Sequence, residues 1–258
     1  MKATPTAPLP RQDGLTGPPD FVGVGAQRAG TKWWFGLIAD HPEVEIAGGK
    51  ELHFFERYLD RDFGESDVLA YHRMFPRPEG IATGEWTPRY MHDFWTPALL
   101  RRAAPEAKIL VLLRDPWERY RSGLGHEARV LGRALTRKRG HYVHALMVND
   151  AFNRSLYWRQ LSRLLEHFEG RRVLVLQYER CVSDPAGELR RTYDFLGLGD
   201  VDHRPAFLTG HTGRTSRRTP IAAGLECSAR DAMAADALRL AELVPAIDLG
   251  LWPSCRER

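Results

Sequence analysis

The chain has 258 residues, 43% of them hydrophobic, enough for one large domain with a buried core. Its formal net charge of +4 suits an anionic small ligand and falls short of the footprint of a nucleic-acid-binding protein. Three widely spaced cysteines, Cys181, Cys227 and Cys255, suggest neither a disulfide framework nor a zinc knuckle, and no stretch approaches the roughly 20 apolar residues of a membrane span, so a reducing cytosol is the expected compartment.

Residues 1–20 are rich in Pro, Thr and Gly and lack an apolar stretch, which predicts a flexible arm ahead of a single domain over 21–258. Beyond the arm, short apolar runs alternate with amphipathic stretches. That pattern predicts an α/β fold, a P-loop-like domain whose central, mostly parallel sheet is flanked by helices. Strands are expected at 21–24, 109–113 and 173–176, each unbroken in apolar character as buried parallel strands are, with a shorter one at 81–84. Helices are expected at 31–39, 97–104, 117–123 and 155–168, the last from the helical spacing of Leu161, Leu164, Leu165 and Phe168. A further helix over 184–196 has Asp184 as N-cap with Pro185 behind it. Residues 210–224 read as a long polar loop, and a C-terminal helix over 229–243 packs on the sheet or on a second copy, leaving a homodimer open.

Directly behind the first strand stands Gly25-Ala26-Gln27-Arg28-Ala29-Gly30-Thr31-Lys32, a strand, a phosphate-cradling turn and a helix start. In an ATP-binding loop the hydroxyl that holds magnesium follows the Lys; here Thr31 precedes Lys32. The loop is therefore expected to bind phosphate without acting as an ATPase does. A second polar block, Arg114-Asp115-Pro116-Trp117-Glu118-Arg119-Tyr120-Arg121-Ser122, follows the strand at 109–113. Ligands of open α/β sheets collect at the carboxyl ends of strands, where Arg114 offers a forked guanidinium to a phosphate. The alternative is a structural Arg114–Asp115 ion pair.

Together the two blocks resemble the nucleotide-dependent sulfotransferases. The resemblance continues through Lys50-Glu51-Leu52-His53-Phe54-Phe55, Glu85-Trp86-Thr87-Pro88, Asn153-Arg154-Ser155-Leu156-Tyr157 and Tyr178-Glu179-Arg180, and is strongest to the branch that modifies glycans. It implies 3′-phosphoadenosine-5′-phosphosulfate as donor, 3′-phosphoadenosine-5′-phosphate as product, and no required metal. It places the 5′-phosphosulfate on Gln27, Arg28, Ala29, Gly30, Thr31, Lys32 and Trp33, with Thr31 capping the helix and Trp33 stacking on adenine or joining the core. Arg28 stands where relatives usually carry Lys, and a planar fork is better at clamping than at giving a proton, so it is assigned to stabilise charge on the leaving group. Lys32 shares that role or is an exposed helix lysine. The 3′-phosphate falls to Arg114 and Ser122, with Arg214 from a basic loop, and Tyr157 lies near the nucleotide or is a helix-start aromatic in the core.

The resemblance also implies a carboxylate base at Glu51 beside His53, with His53 itself the rival base and His126 a more distant third. Strand-like alternation would put Glu51 and His53 on one side of the chain. In the Glu85-x-Thr87 motif the middle position, usually Lys, is Trp86, which tilts the expected acceptor toward a hydroxyl of a phenolic or other small molecule of secondary metabolism. The basic run Arg129, Arg133, Arg137, Lys138 and Arg139 favours instead an acidic carbohydrate acceptor or is a solvated face. Trp95, Trp117 and Trp158 line a pocket or serve the core. Two other functions remain open: a P-loop phosphotransferase, and a nucleotide-binding module without catalysis.

Overall fold

The apolar runs become five parallel strands: β1 (Phe21–Gly25), β2 (Val44–Glu45), β3 (Ala82–Trp86), β4 (Lys108–Leu113) and β5 (Val173–Gln177), in the order β2-β3-β1-β4-β5. The computed structural model describes residues 15–46, 50–131, 140–201 and 221–255. All of β1 and all of β4 except Lys108 are buried, so these strands are apolar on both faces and carry no alternation. The chain leaves β1 for the edge strand β2, returns to β3 on one side of β1, then crosses to β4 on the other. The strand order reverses at β1, which places a ligand crevice at its carboxyl end.

Helices cover the sheet: α1 (Thr31–Ala39), α2 (Glu65–His72), α3 (Thr96–Ala103), α4 (Pro116–Leu131), α5 (Gly140–Asn153), α6 (Tyr157–His167), α7 (Tyr178–Ser183), α8 (Pro185–Leu196) and α9 (Ala223–Leu243). None among the described residues is long and apolar enough to cross a membrane. α1 has the expected bounds, and α8 starts as predicted, Asp184 accepting a hydrogen bond from the Gly187 amide at 3.0 Å. α4 runs on well past residue 123, and α6 begins at Tyr157, two residues late. Four elements were not anticipated. β2 has two residues, α2 buries only Tyr71, α7 is a short turn at the end of β5, and α5 shows little amphipathic order.

α9 packs on α6 and α4, where Ala229 and Met233 join Trp117, Tyr120 and Leu124 in a second apolar cluster. It starts at Ala223, six residues earlier than expected; residues 210–220 of the predicted loop lie outside the described residues. Of the expected N-terminal arm, residues 1–14 also lie outside them. Residues 15–20 are tied down: the Gly17 amide donates to the Phe75 carbonyl at 3.2 Å, and Asp20 pairs with Arg77 at 2.7 Å.

One contact at the sheet centre sets up the site. Gly23 pairs with Leu110 but Gly25 with Val111, so β1 slips register as it leaves the sheet. A Cβ on Gly23 would lie 2.0 Å from the Trp86 ring. Only glycine lets the indole lie flat against β1 beneath the loop.

Candidate active site

Gly30 ends the phosphate loop at φ +93, a left-handed position, and a Cβ there would meet the Tyr178 ring at 2.7 Å. It is Gly30 and not Thr31 that caps α1: its carbonyl accepts from the Trp33 and Trp34 amides, and Thr31 is the first helical residue, buried. Helical geometry gives the first-turn amides of Thr31 and Lys32 no acceptor within the helix, so they and the positive helix end form an anion cradle. Ala29 is buried and contributes backbone alone, while the Lys32 side chain is exposed. Trp33 packs against the core, edge-on to Trp34 at 5.2 Å and to Tyr178 at 6.4 Å.

The two sequence blocks meet at Arg28. Its backbone is left-handed, φ 70, and its Nε donates to Ser122 Oγ at 3.2 Å across 94 residues of sequence. Arg114 sits at the same carboxyl edge, its guanidinium 5.1 Å from the centre of the Tyr178 ring and 3.6 Å from Glu118. The alternative of an Arg114–Asp115 pair gives way to another role for Asp115, which caps α4 by accepting from the Trp117 and Glu118 amides and holds Ser254. Tyr157 is corrected: fully buried, it donates its hydroxyl to the Arg114 carbonyl at 2.9 Å, and burial raises its pKa far above the ordinary value. It holds the strand end that carries Arg114 from within the core. Arg214 and the side chains of the basic run at 129–139 lie outside the described residues.

Two arginines that sequence reasoning did not single out brace the loop. Arg119, fully buried on α4, donates to Ser155 Oγ at 2.7 Å, to the Gln27 carbonyl at 3.3 Å and to the Ala151 carbonyl. Burial lowers its pKa to about 10, so it remains a cation at neutral pH. Arg154 donates to Gln27 Oε1 and pairs with Asp150 at 2.7 Å. Gln27 is thus held by its carbonyl and its side chain, a positioning role. Their signal in the sequence was position alone, Arg119 five residues after Arg114 in the second block and Arg154 inside the Asn153–Tyr157 block.

The candidate base lies on a segment without regular structure. Glu51 and His53 do not alternate on a strand; both have left-handed backbones, φ 70 and φ 52, and this curl brings His53 Nε2 to 3.5 Å from Glu51 Oε2. Glu56, on the 3-10 turn that follows, takes the other ring nitrogen, Nδ1. Lys50 donates to Glu51 Oε1 at 2.5 Å. The hydrogen bond from His53, reinforced by Lys50 against the opposing effect of burial, lowers the Glu51 pKa to about 2. Hydrogen bonds to Glu51 and then Glu56 raise His53 to about 9. Burial lowers the Lys50 pKa, and the charge of Lys32 acts in the same direction, which ties this cluster to the phosphate loop.

These values rank the two candidate bases. Below pH 9 His53 is an imidazolium between two carboxylates and has no lone pair to offer, whereas Glu51 is ionised. The His53 contacts are fully present below its ordinary 6.5 and are lost as pH rises through about 9; the Glu51 contacts are present above its ordinary 4.5 and are lost as pH falls through about 2. A pH profile of kcat is therefore expected to be flat from about pH 6 to 8 and to fall above about 9. A rate that rises through pH 9 would make His53 the base.

Beneath the segment lies Glu85, fully buried, whose pKa burial raises. Tyr71 and Thr87 donate their hydroxyls to its two oxygens at 2.7 and 2.6 Å, and Tyr90 and the Leu52 amide also reach it. Those partners in turn hold the base segment: the His53 amide donates to Thr87 Oγ1 at 3.4 Å and the Phe54 amide to Tyr90 Oη at 2.9 Å. Trp86 stands between Glu85 and Thr87. It is fully buried and its Nε1 donates to the Gly25 carbonyl at 3.3 Å, so it supports the loop and lines no acceptor cavity.

A parallel sheet that switches order at β1, a glycine-ended loop on a helix N-terminus and an arginine-serine block after β4 define a class of α/β proteins that bind phosphorylated nucleotides at the sheet edge. Within that class the chain belongs to the sulfotransferase family: residues 18–204 match the model of the sulfotransferase domain. It is similar to human heparan sulfate glucosamine 3-O-sulfotransferase 3B1, 33% identical over 187 residues, which are 70% of this chain and 46% of that protein. Human heparan sulfate glucosamine 3-O-sulfotransferase 6 is 32% identical over 203 residues, 76% of this chain and 57% of that protein. The chain spans about half the length of the curated relatives it matches. A sulfotransferase from Alicyclobacillus acidocaldarius, solved by crystallography, has a TM-score of 0.67 and 28% identity, covering 91% of this chain and 98% of that one.

Proposed function

We propose that the chain transfers a sulfuryl group from 3′-phosphoadenosine-5′-phosphosulfate to a hydroxyl of a carbohydrate. The observation that carries this reading is the Arg28–Ser122 hydrogen bond, which joins the loop suited to the 5′-phosphosulfate to the block suited to the 3′-phosphate. The carbohydrate is preferred to a phenolic small molecule because the relatives are named for glucosamine, and because Trp86, on which the other preference rested, is buried under the loop.

Each residue then has a task. The Thr31 and Lys32 amides and the helix end hold the 5′ anion. Arg28 neutralises charge that grows on the leaving phosphate oxygen, a stabilisation that is largest where the donors are already in place. Arg114 and Ser122 grip the distal phosphate and so fix orientation and not bond breaking. Glu51 takes the proton of the acceptor hydroxyl as its oxygen bonds to sulfur and the bond from sulfur to the phosphate oxygen breaks.

Labelled donor offered with a panel of oligosaccharides and phenols, with and without chelator, is expected to mark the oligosaccharides and to be insensitive to chelation. Label on phenols alone, or magnesium-dependent transfer from ATP, would refute it. For the distal phosphate, Arg114→Ala is expected to weaken binding of 3′-phosphoadenosine-5′-phosphate about tenfold by calorimetry, the size of a lost charge-assisted hydrogen bond. Under saturating donor its kcat should be close to that of the wild type.

A further inference from the structure

A groove of about 510 Å³ opens between α6 and α9, apart from the residues assigned to transfer. Arg159 and Arg163, one helical turn apart on α6, face Arg239 of α9 across it, and Trp158 forms part of its wall with Arg239 5.2 Å from the ring centre. Asp236 is the one carboxylate in the lining, and it is engaged elsewhere: its Oδ2 caps α6, accepting from the Tyr157 and Trp158 amides at 2.6 and 3.0 Å. Among the described residues none of the three arginines lies within ion-pair distance of a carboxylate, and Arg163 Nη1 is shut off from solvent without a hydrogen-bond partner.

Three guanidinium groups face a single lining carboxylate, Asp236, whose charge acts on Arg239 and Arg159 while it caps α6, so positive charge is in surplus and suits an anionic ligand; planar forks match sulfate and carboxylate oxygens. The volume lies within the range of small-ligand sites and admits a sugar unit or two. The groove is linked to the phosphate loop by a chain of contacts. His92 at its mouth hydrogen-bonds Asp150 at 3.2 Å, Asp150 pairs with Arg154, and Arg154 holds Gln27 of the phosphate loop. α9, which supplies one wall, lies outside the 18–204 segment matched by the family model.

We propose that the α6/α9 groove is a binding site for a sulfated or carboxylated sugar, holding an acidic part of the acceptor away from the hydroxyl that reacts. The proposal rests on the carbohydrate reading above. The test uses the full chain with 3′-phosphoadenosine-5′-phosphate bound, titrated with a heparan sulfate hexasaccharide, its fully desulfated and carboxyl-reduced counterpart, and inorganic sulfate. Arg159→Gln/Arg239→Gln is the main variant, since both side chains are exposed. Arg163→Gln is the second.

The acidic hexasaccharide is expected to bind at least about tenfold more tightly than its neutral counterpart, and the double variant to lose that preference with nucleotide affinity unchanged. In turnover the acceptor KM should rise about tenfold with kcat retained. Wild-type affinity and KM in both variants would overturn the groove while leaving the carbohydrate reading standing. Inorganic sulfate binding as tightly as the hexasaccharide would overturn it too, showing a site for a free anion. Groove-dependent binding without sulfuryl transfer to any carbohydrate would uphold the groove and sink the functional reading instead.

Discussion

Glu51→Gln is expected to keep donor-product affinity within about twofold and to lower kcat by about 10²–10⁴, the usual worth of a positioned general base. The amide has nearly the same shape, so Lys50 and His53 retain a neighbour of the same size, but it cannot take a proton. Single-turnover rates with saturating donor separate this from a binding defect. A second consequence follows from the His53 contacts. With Glu51 neutral, His53 keeps only Glu56 as a carboxylate partner, and its pKa should move from about 9 back toward the ordinary 6.5, visible by titration of the ring resonances. Wild-type turnover in this variant would remove Glu51 from the chemistry and leave its carboxylate as a holder of the imidazolium.

How far this centre can be read in the sequence depends on the kind of interaction that builds it. β1, β4 and β5 are legible because burial on both faces demands unbroken apolar runs, and the loop is legible because phosphate binding restricts both glycine and hydroxyl positions. The contact between Glu51 and His53 was anticipated for the wrong reason. Strand alternation was expected, whereas two left-handed residues curl the chain, and neither is a glycine that would have announced it. Trp86 was misread because a strand residue at a motif says nothing of which face is open; its burial depends on Gly23, 63 positions earlier. Arg119 and Arg154 carry no distinguishing pattern of their own in the two blocks that contain them; only the fold shows them donating to Gln27. The elements missed, such as the two-residue β2 and α2 with its single buried side chain, bury too little to leave a pattern.

Glu85→Leu is the most disruptive substitution expected outside the reacting groups. The leucine fits the volume but accepts no hydrogen bond, leaving the Tyr71 and Thr87 hydroxyls without their acceptor in a dry site, and each such loss costs about 1–3 kcal/mol. A melting temperature lower by roughly 5–15 °C should result, in proportion to several kcal/mol in a domain of this size. The Leu52 amide loses its anchor as well, and the positions of Thr87 and Tyr90 that hold the His53 and Phe54 amides relax. Turnover is therefore expected to fall about 10- to 100-fold well below the melting temperature, because a base displaced by an ångström loses much of its effect. Nucleotide affinity should be retained, since the hydrogen-bond partners of Glu85 among the described residues, Tyr71, Thr87, Tyr90 and the Leu52 amide, lie outside the phosphate loop. The reading separates from mere destabilisation through the pH profile: as His53 slips from Glu51 and Glu56, the fall in kcat expected above about pH 9 should move toward neutrality. Thr87→Val, which removes the hydroxyl next to His53 but leaves Glu85 with Tyr71 and Tyr90, should show the same displacement of the profile with a smaller loss of stability. A protein that melts earlier but keeps both kcat and the wild-type profile would confine Glu85 to the core.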